Sequence, residues 1–251
     1  MHKLLDAPRL FVIASVVVLW LCSQLGAYAS KKWWSPTEQE RSDFNIILGA
    51  TLTLMGLIIG FSFSMAVSRY DQRKAYEEGE ANAIGTEYLR VELLPTETAR
   101  RAKDLLRQYL NQRILFYQEQ REDRLSQIDA QTAQLQNALW AAVQPEGAMH
   151  PTVTVALAVA GMNDVLNSQG YTLAGWRNRI PEAAWILMAA IAVCSCVLTG
   201  YTVHRARTLL LVILSAVLSI AFFLIADIDS PRYGLIRVVP QNLVSLSESL
   251  R

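Results

Sequence analysis

The sequence has few of the residues that build catalytic and metal sites. Of 251 residues, three are cysteine and three histidine. Cys22, Cys194 and Cys196 all lie inside apolar stretches, without the paired spacing and histidine partners of a zinc site. Cys194 and Cys196 are two apart on a helix and point to different faces, so buried free thiols are expected rather than a disulfide. His2, His150 and His204 are scattered and form no metal-binding pattern. There is no Gly-rich phosphate loop with its lysine, no His-Glu-x-x-His and no Gly-x-Ser-x-Gly elbow. These gaps point to a protein that is not an enzyme and has no cofactor; whether it holds a metal is left open. Lys and Arg number 23 against 22 Asp and Glu, and no basic patch carries interleaved aromatics, which argues against nucleic acid as a partner. Repeats and low-complexity runs are missing too. So is proline, from the whole interval between Pro36 and Pro95.

What the chain has is apolar length. Its residues are 52% hydrophobic, concentrated in four blocks at 10–29, 44–67, 183–203 and 208–226. Residues 44–67, FNIILGATLTLMGLIIGFSFSMAV, hold no charge over 24 positions, enough helix to cross a hydrocarbon core of about 30 Å. The block runs without a break into SRYDQRKAYEEGEANAIGTEYLRVELL, rich in helix-forming Ala, Glu and Arg. One long helix is expected, leaving the membrane at Arg69 and ending before Pro95, because a residue preceding proline is pushed out of the helical region. Thr53, Leu57, Phe61 and Ser64 share one face of the span, and an apolar ring built from such a face gates a pore by dewetting. Ordinary helix packing through Gly49, Gly56 and Gly60 is the alternative.

The first block also fits a cleavable signal peptide, with a basic start and Ala27-Tyr28-Ala29 before Ser30; a retained helix is preferred because the block is long enough to span. Trp33 and Trp34 beside Lys31 and Lys32 suit an interfacial anchor, and Ser35 with Glu38 a capping box. Between the second and third blocks the chain is polar. Ala99, Ala102, Leu106, Tyr109, Leu110, Ile114 and Tyr117 keep helical period. Leu125, Ile128, Thr132, Leu135, Leu139 and Ala142 step by three and four as a short heptad stripe, expected to pack in a bundle. Residues 144–151 read as a turn, and 152–168 as a helix or strand ended by Gln169-Gly170. Glu77, Glu78 and Glu80 read as a solvated face. His204-Arg205-Ala206-Arg207 makes a tight basic turn of a helical hairpin.

The run GFSFSMAVSRYDQ, residues 60–72, resembles the second transmembrane helix of bestrophin anion channels. The strings at 68–95 and 226–243 resemble the two signature blocks of an uncharacterised bacterial membrane family called bestrophin-like. Glu80, Asn82 and Glu87 lie in the first block, and that resemblance implies a polar network buried between helices or subunits as the alternative to a solvated face for some of them. The resemblance implies an ion channel, anions favoured, in a homo-oligomeric ring such as a pentamer, with the bilayer and inorganic ions as partners. In bestrophins an acidic cluster after the last span takes part in calcium binding. Asp227 and Asp229 stand at that point without a longer acidic run, leaving ion binding, a salt bridge with Arg69, Arg73 or Arg232, and a helix-stop turn with Ser230-Pro231 as alternatives.

The expected fold is all-α, with four transmembrane helices and a helical cytoplasmic domain inserted between the second and third. The expected divisions are 1–68, 69–181 and 182–251. Lys and Arg near the spans favour both termini cytoplasmic in a bacterial inner membrane, with nine (Lys3, Arg9, Arg69, Arg73, Lys74, Arg177, Arg179, Arg232, Arg237) against five (Lys31, Lys32, Arg41, Arg205, Arg207). A second function stands beside the channel: a non-conducting scaffold or sensor that binds a partner through its polar helices.

Overall fold

A computed structural model describes residues 8–32, 37–202 and 208–250. Among these every regular element is helical. The helices are α1 (Pro8–Lys32), α2 (Glu38–Arg90), a 3₁₀ turn (Val91–Leu93), α3 (Thr96–Gln118), α4 (Glu122–Met149), α5 (Val153–Arg177), α6 (Glu182–Thr202), α7 (Thr208–Asp229) and α8 (Gln241–Ser249). Among the described residues four segments each hold a helical stretch long and apolar enough to cross a membrane: Phe11–Lys32, Ser42–Leu93, Val153–Thr202 and Leu211–Asp229.

The chain divides into two compact units, Met1–Arg69 with Arg179–Arg237, and Tyr70–Asn178 with Val238–Arg251. In the first, α1 packs on α6 and α7. Small residues set the approach. A Cβ added to Gly26 would lie 2.1 Å from the Val197 carbonyl oxygen, and one on Gly200 1.9 Å from that of Ser23. The two helices therefore meet backbone to backbone, as membrane helices do where small residues line the seam. Two serine hydroxyls in this apolar setting bond to their own helix, Ser23 Oγ to the Leu19 carbonyl at 3.1 Å and Ser215 Oγ to that of Leu211 at 3.0 Å. Phe11 and Trp185 meet edge to face.

α2 spans 53 residues, about 80 Å at 1.5 Å per residue. Its start is fixed by Thr37 and Glu40. The Glu40 N–H donates to Thr37 Oγ1 at 3.3 Å, and the Thr37 N–H to Glu40 Oε2 at 2.8 Å, a reciprocal capping box. The box expected at Ser35, the tryptophans Trp33 and Trp34 and the turn at 204–207 lie outside the described residues. At its other end the helix tightens into the 3₁₀ turn, and Leu94 is extended (φ −90°, ψ 165°), the conformation that Pro95 demands.

The second unit has its own core, built from Ile84, Val91, Leu106, Tyr109, Leu110, Phe116, Leu139, Val143, Met162, Val165 and Trp176. The heptad stripe of α4 faces inward. Leu139 is fully buried, Ile128 and Ala142 nearly so, and Leu125 and Leu135 pack against the same core. Its polar member, Thr132, is buried at no cost in hydrogen bonds, because Oγ1 donates to the Ile128 carbonyl at 2.7 Å.

Two breaks expected from the sequence are absent. Residues 144–149 continue α4 through Pro145. Pro145 and Ala141 are both exposed, so the carbonyl that loses its partner faces solvent, where proline costs least. Glu146, one residue on, is held by Thr98 Oγ1 at 2.8 Å and lies 3.1 Å from His150 Nδ1. Likewise Gln169-Gly170 does not end α5, which runs to Arg177. An interior glycine costs about 1 kcal/mol; burial of Thr172, Gly175 and Trp176 in the following two turns outweighs it. At its start Thr152 caps the helix, accepting the Val155 N–H at 3.2 Å, which removes the strand alternative.

Candidate functional site

The transmembrane part of α2 has two unlike faces. Met55, Ser62 and Ala66, with the half-buried Ile59, form the covered one. At 100° per residue the opposite side carries Thr53, Leu57, Phe61 and Ser64. All four are exposed in the single chain, Leu57 at 54% and Phe61 at 65%. A Cβ on Gly49, Gly56 or Gly60 would touch nothing within 4 Å, so these glycines make no close helix contact inside the chain, unlike Gly26 and Gly200.

The aspartates at the end of α7 are held by different groups. Both oxygens of the buried Asp227 accept backbone N–H groups, Leu235 at 2.7 Å and Ile236 at 2.9 Å. Gly234 makes this turn possible, since a Cβ there would lie 2.3 Å from the Asp227 carbonyl oxygen. Asp229 accepts the Ile180 N–H at 3.1–3.2 Å and lies 3.5 Å from Arg69 Nη1, with 7% of the Asp229 and 15% of the Arg69 side chain exposed. Asp229 thus joins the segment before α6 to the end of α7 and to α2. Among the described residues no three His, Cys, Asp or Glu side chains gather as a metal site.

In the second unit α2 presents a stripe that polarity alone would place in water. Arg73, Glu77, Glu80, Ile84, Glu87 and Val91 step by four, three, four, three, four, and all six are essentially buried. Glu78 and Asn82, off that stripe, are exposed. Glu77 and Glu80 are therefore not a solvated face. Glu77 accepts from Asn242 Nδ2 at 2.6 Å and from the Leu243 N–H at 3.0 Å, tying the first turn of α8 to α2. Glu80 pairs with Arg113 of α3 and accepts from Thr172 Oγ1 at 3.1 Å and Tyr117 Oη at 3.4 Å. Burial works against the Arg113 charge, but the carboxylate of Glu80 together with Tyr109 and Tyr117 outweighs it and holds the guanidinium ionised above the usual arginine range. Tyr109 and Tyr117 are pushed up by burial and then by the charge of Glu80, so neither phenol ionises near neutrality. The register of α3 carries a signal for this cluster: Arg113 falls on the same period as Leu106, Tyr109, Leu110 and Tyr117.

A model of the bestrophin-like domain matches residues 14–243. No curated protein is detectably similar. Solved structures are. A bacterial bestrophin homologue from Klebsiella pneumoniae carrying a point mutation is 15% identical, with a TM-score of 0.66 over 95% of this chain and 97% of that one. Another structure of the Klebsiella pneumoniae homologue, phased with zinc, is 14% identical with a TM-score of 0.64, over 94% and 98%. At these identities the likeness is one of fold.

Proposed function

Because the chain belongs to the bestrophin-like family, we propose that it is an ion channel in which several copies ring an axial pore lined by residues 44–67 of α2. The observation that carries this reading is the pair of faces on α2. One is covered within the chain, and the other leaves Thr53, Leu57, Phe61 and Ser64 bare. A bare face on a span contacts lipid, another subunit or a pore. Membership of the bestrophin-like family favours the pore. In a ring, copies of Leu57 and Phe61 meet near the axis and offer water no hydrogen bonds, so a narrow constriction there dewets and stops ions. Anions are the favoured cargo, a pentamer the favoured ring, and the bacterial inner membrane with both termini cytoplasmic the favoured setting. In that setting the second unit is cytoplasmic. No enzymatic step is assigned.

The test is ion flux into vesicles that hold the purified protein. Leu57→Ala, Phe61→Ala and above all Phe61→Ser should raise flux, whereas Ile59→Ala, on the covered face, should not open the pore. Correctly assembled Phe61→Ser protein that passes no common anion or cation would overturn the channel in favour of the scaffold.

A further inference from the structure

Glu87 differs from the other buried carboxylates of its stripe. Glu77 and Glu80 each receive at least two donors. Glu87 is just as buried, and neither of its carboxyl oxygens has a hydrogen-bond partner among the described residues. The backbone of α5 lies directly against it. A Cβ on the buried Gly161 would sit 2.0 Å from Glu87 Oε2 and 2.8 Å from Arg90 Nη1, so the glycine is what makes space for both side chains. The charged groups acting on the carboxyl are Arg90, one turn on in α2, and Asp164, from α5. A buried carboxylate without donors is far costlier than the neutral acid.

We propose that Glu87 is a proton-operated latch between α2 and α5: as the neutral acid it lets α5 close onto it at Gly161, and its ionisation loosens that contact. Burial is the main cause, Arg90 opposes it and Asp164 adds to it; together they push the carboxyl up to about 8. The acid is therefore neutral at and below neutral pH and releases its proton on mild alkalinisation. Glu80, which also lies in the core, is excluded from this role by its pairing with Arg113.

The sign follows from proton uptake. In the folded chain the carboxyl binds its proton more tightly than in the unfolded chain, so its contribution to stability falls as pH rises from the ordinary carboxylate range to about 8, and is flat above. The test is the thermal midpoint of the full-length protein in detergent, wild type against Glu87→Gln, across a pH series. The gap, variant minus wild type, should widen with pH and level off once pH passes about 8. Parallel curves would overturn the latch. A second readout needs no variant. Hydrogen exchange in wild-type peptides covering α5 and the end of α2, corrected for the intrinsic effect of pH, should show more frequent opening at about pH 9 than at about pH 6. Equal protection at both would overturn the proposal even if the glutamine variant failed to fold.

Discussion

Arg113 donates to the carboxylate of Glu80 through both Nε and Nη2, Nη2 lying 3.4 Å from Oε2, with neither side chain exposed to solvent. The pair joins α2 to α3, and Thr172 brings in α5 by donating to the same carboxylate. Two charges so placed have left water entirely, and what keeps them is each other.

Breaking this pair from one side should be costly. Glu80→Leu strands a guanidinium and two hydroxyl donors; Arg113→Leu strands a carboxylate. Each is expected to lose about 3–5 kcal/mol, and the double variant less than the sum. Denaturant unfolding in detergent measures all three. Additive losses would show that the charges are not energetically coupled.

Leu139 and Leu135 share the inward stripe of α4 at different depths. Leu139→Ala should cost about 2–5 kcal/mol, since it empties a fully enclosed site; Leu135→Ala should cost less because that side chain is only half-buried. Thermal midpoints of the two variants rank the sites. An unchanged midpoint for Leu139→Ala would contradict the packing of α4 on the core.

The seam between α1 and α6 has no room for a methyl group. Gly26→Ala and Gly200→Ala each drive a carbon into a facing carbonyl, and overpacking of this kind costs at least about 1–3 kcal/mol. Folded yield by size-exclusion chromatography should fall for both. Gly56→Ala, with nothing in reach within the chain, should leave the fold of the single chain intact. Equal yields for all three would mean that α1 does not pack on α6 in the mature protein, as removal of the first block would require.

Asp227 and Asp229 should matter through protein donors rather than calcium. Asp227→Ala leaves the N–H groups of Leu235 and Ile236 without their acceptor, and Asp229→Ala removes the acceptor of the Ile180 N–H and one partner of Arg69. Hydrogen bonds to charged groups contribute about 1.5–3 kcal/mol each, so both variants should lower the thermal midpoint. The loss should be the same in calcium and in chelator; a loss that disappears in chelator would assign the pair to a calcium site instead.

Local features of the chain determined the four spans, the long second helix, its end before Pro95 and the inward stripe of α4. Each rests on length, apolar content or period, which neighbours in sequence set among themselves. Tertiary structure alone decided which acids go inside. Glu77, Glu78 and Glu80 are indistinguishable as isolated residues, yet Glu78 is exposed while the other two are buried. What separates them is donors from remote parts of the chain: Asn242 and Leu243 for Glu77, Arg113 and Thr172 for Glu80. The packing of the tail beyond Val238 with the second unit depends on the same contacts. So does the passage of α5 through Gly170, where burial of Thr172 and Trp176 overrides a local helix breaker. A charge enters a core only when a partner is waiting there: the period of α3 places Arg113 on its inward face, but only the tertiary structure brings it to Glu80, 33 residues away, and Asn242 to Glu77, 165 away.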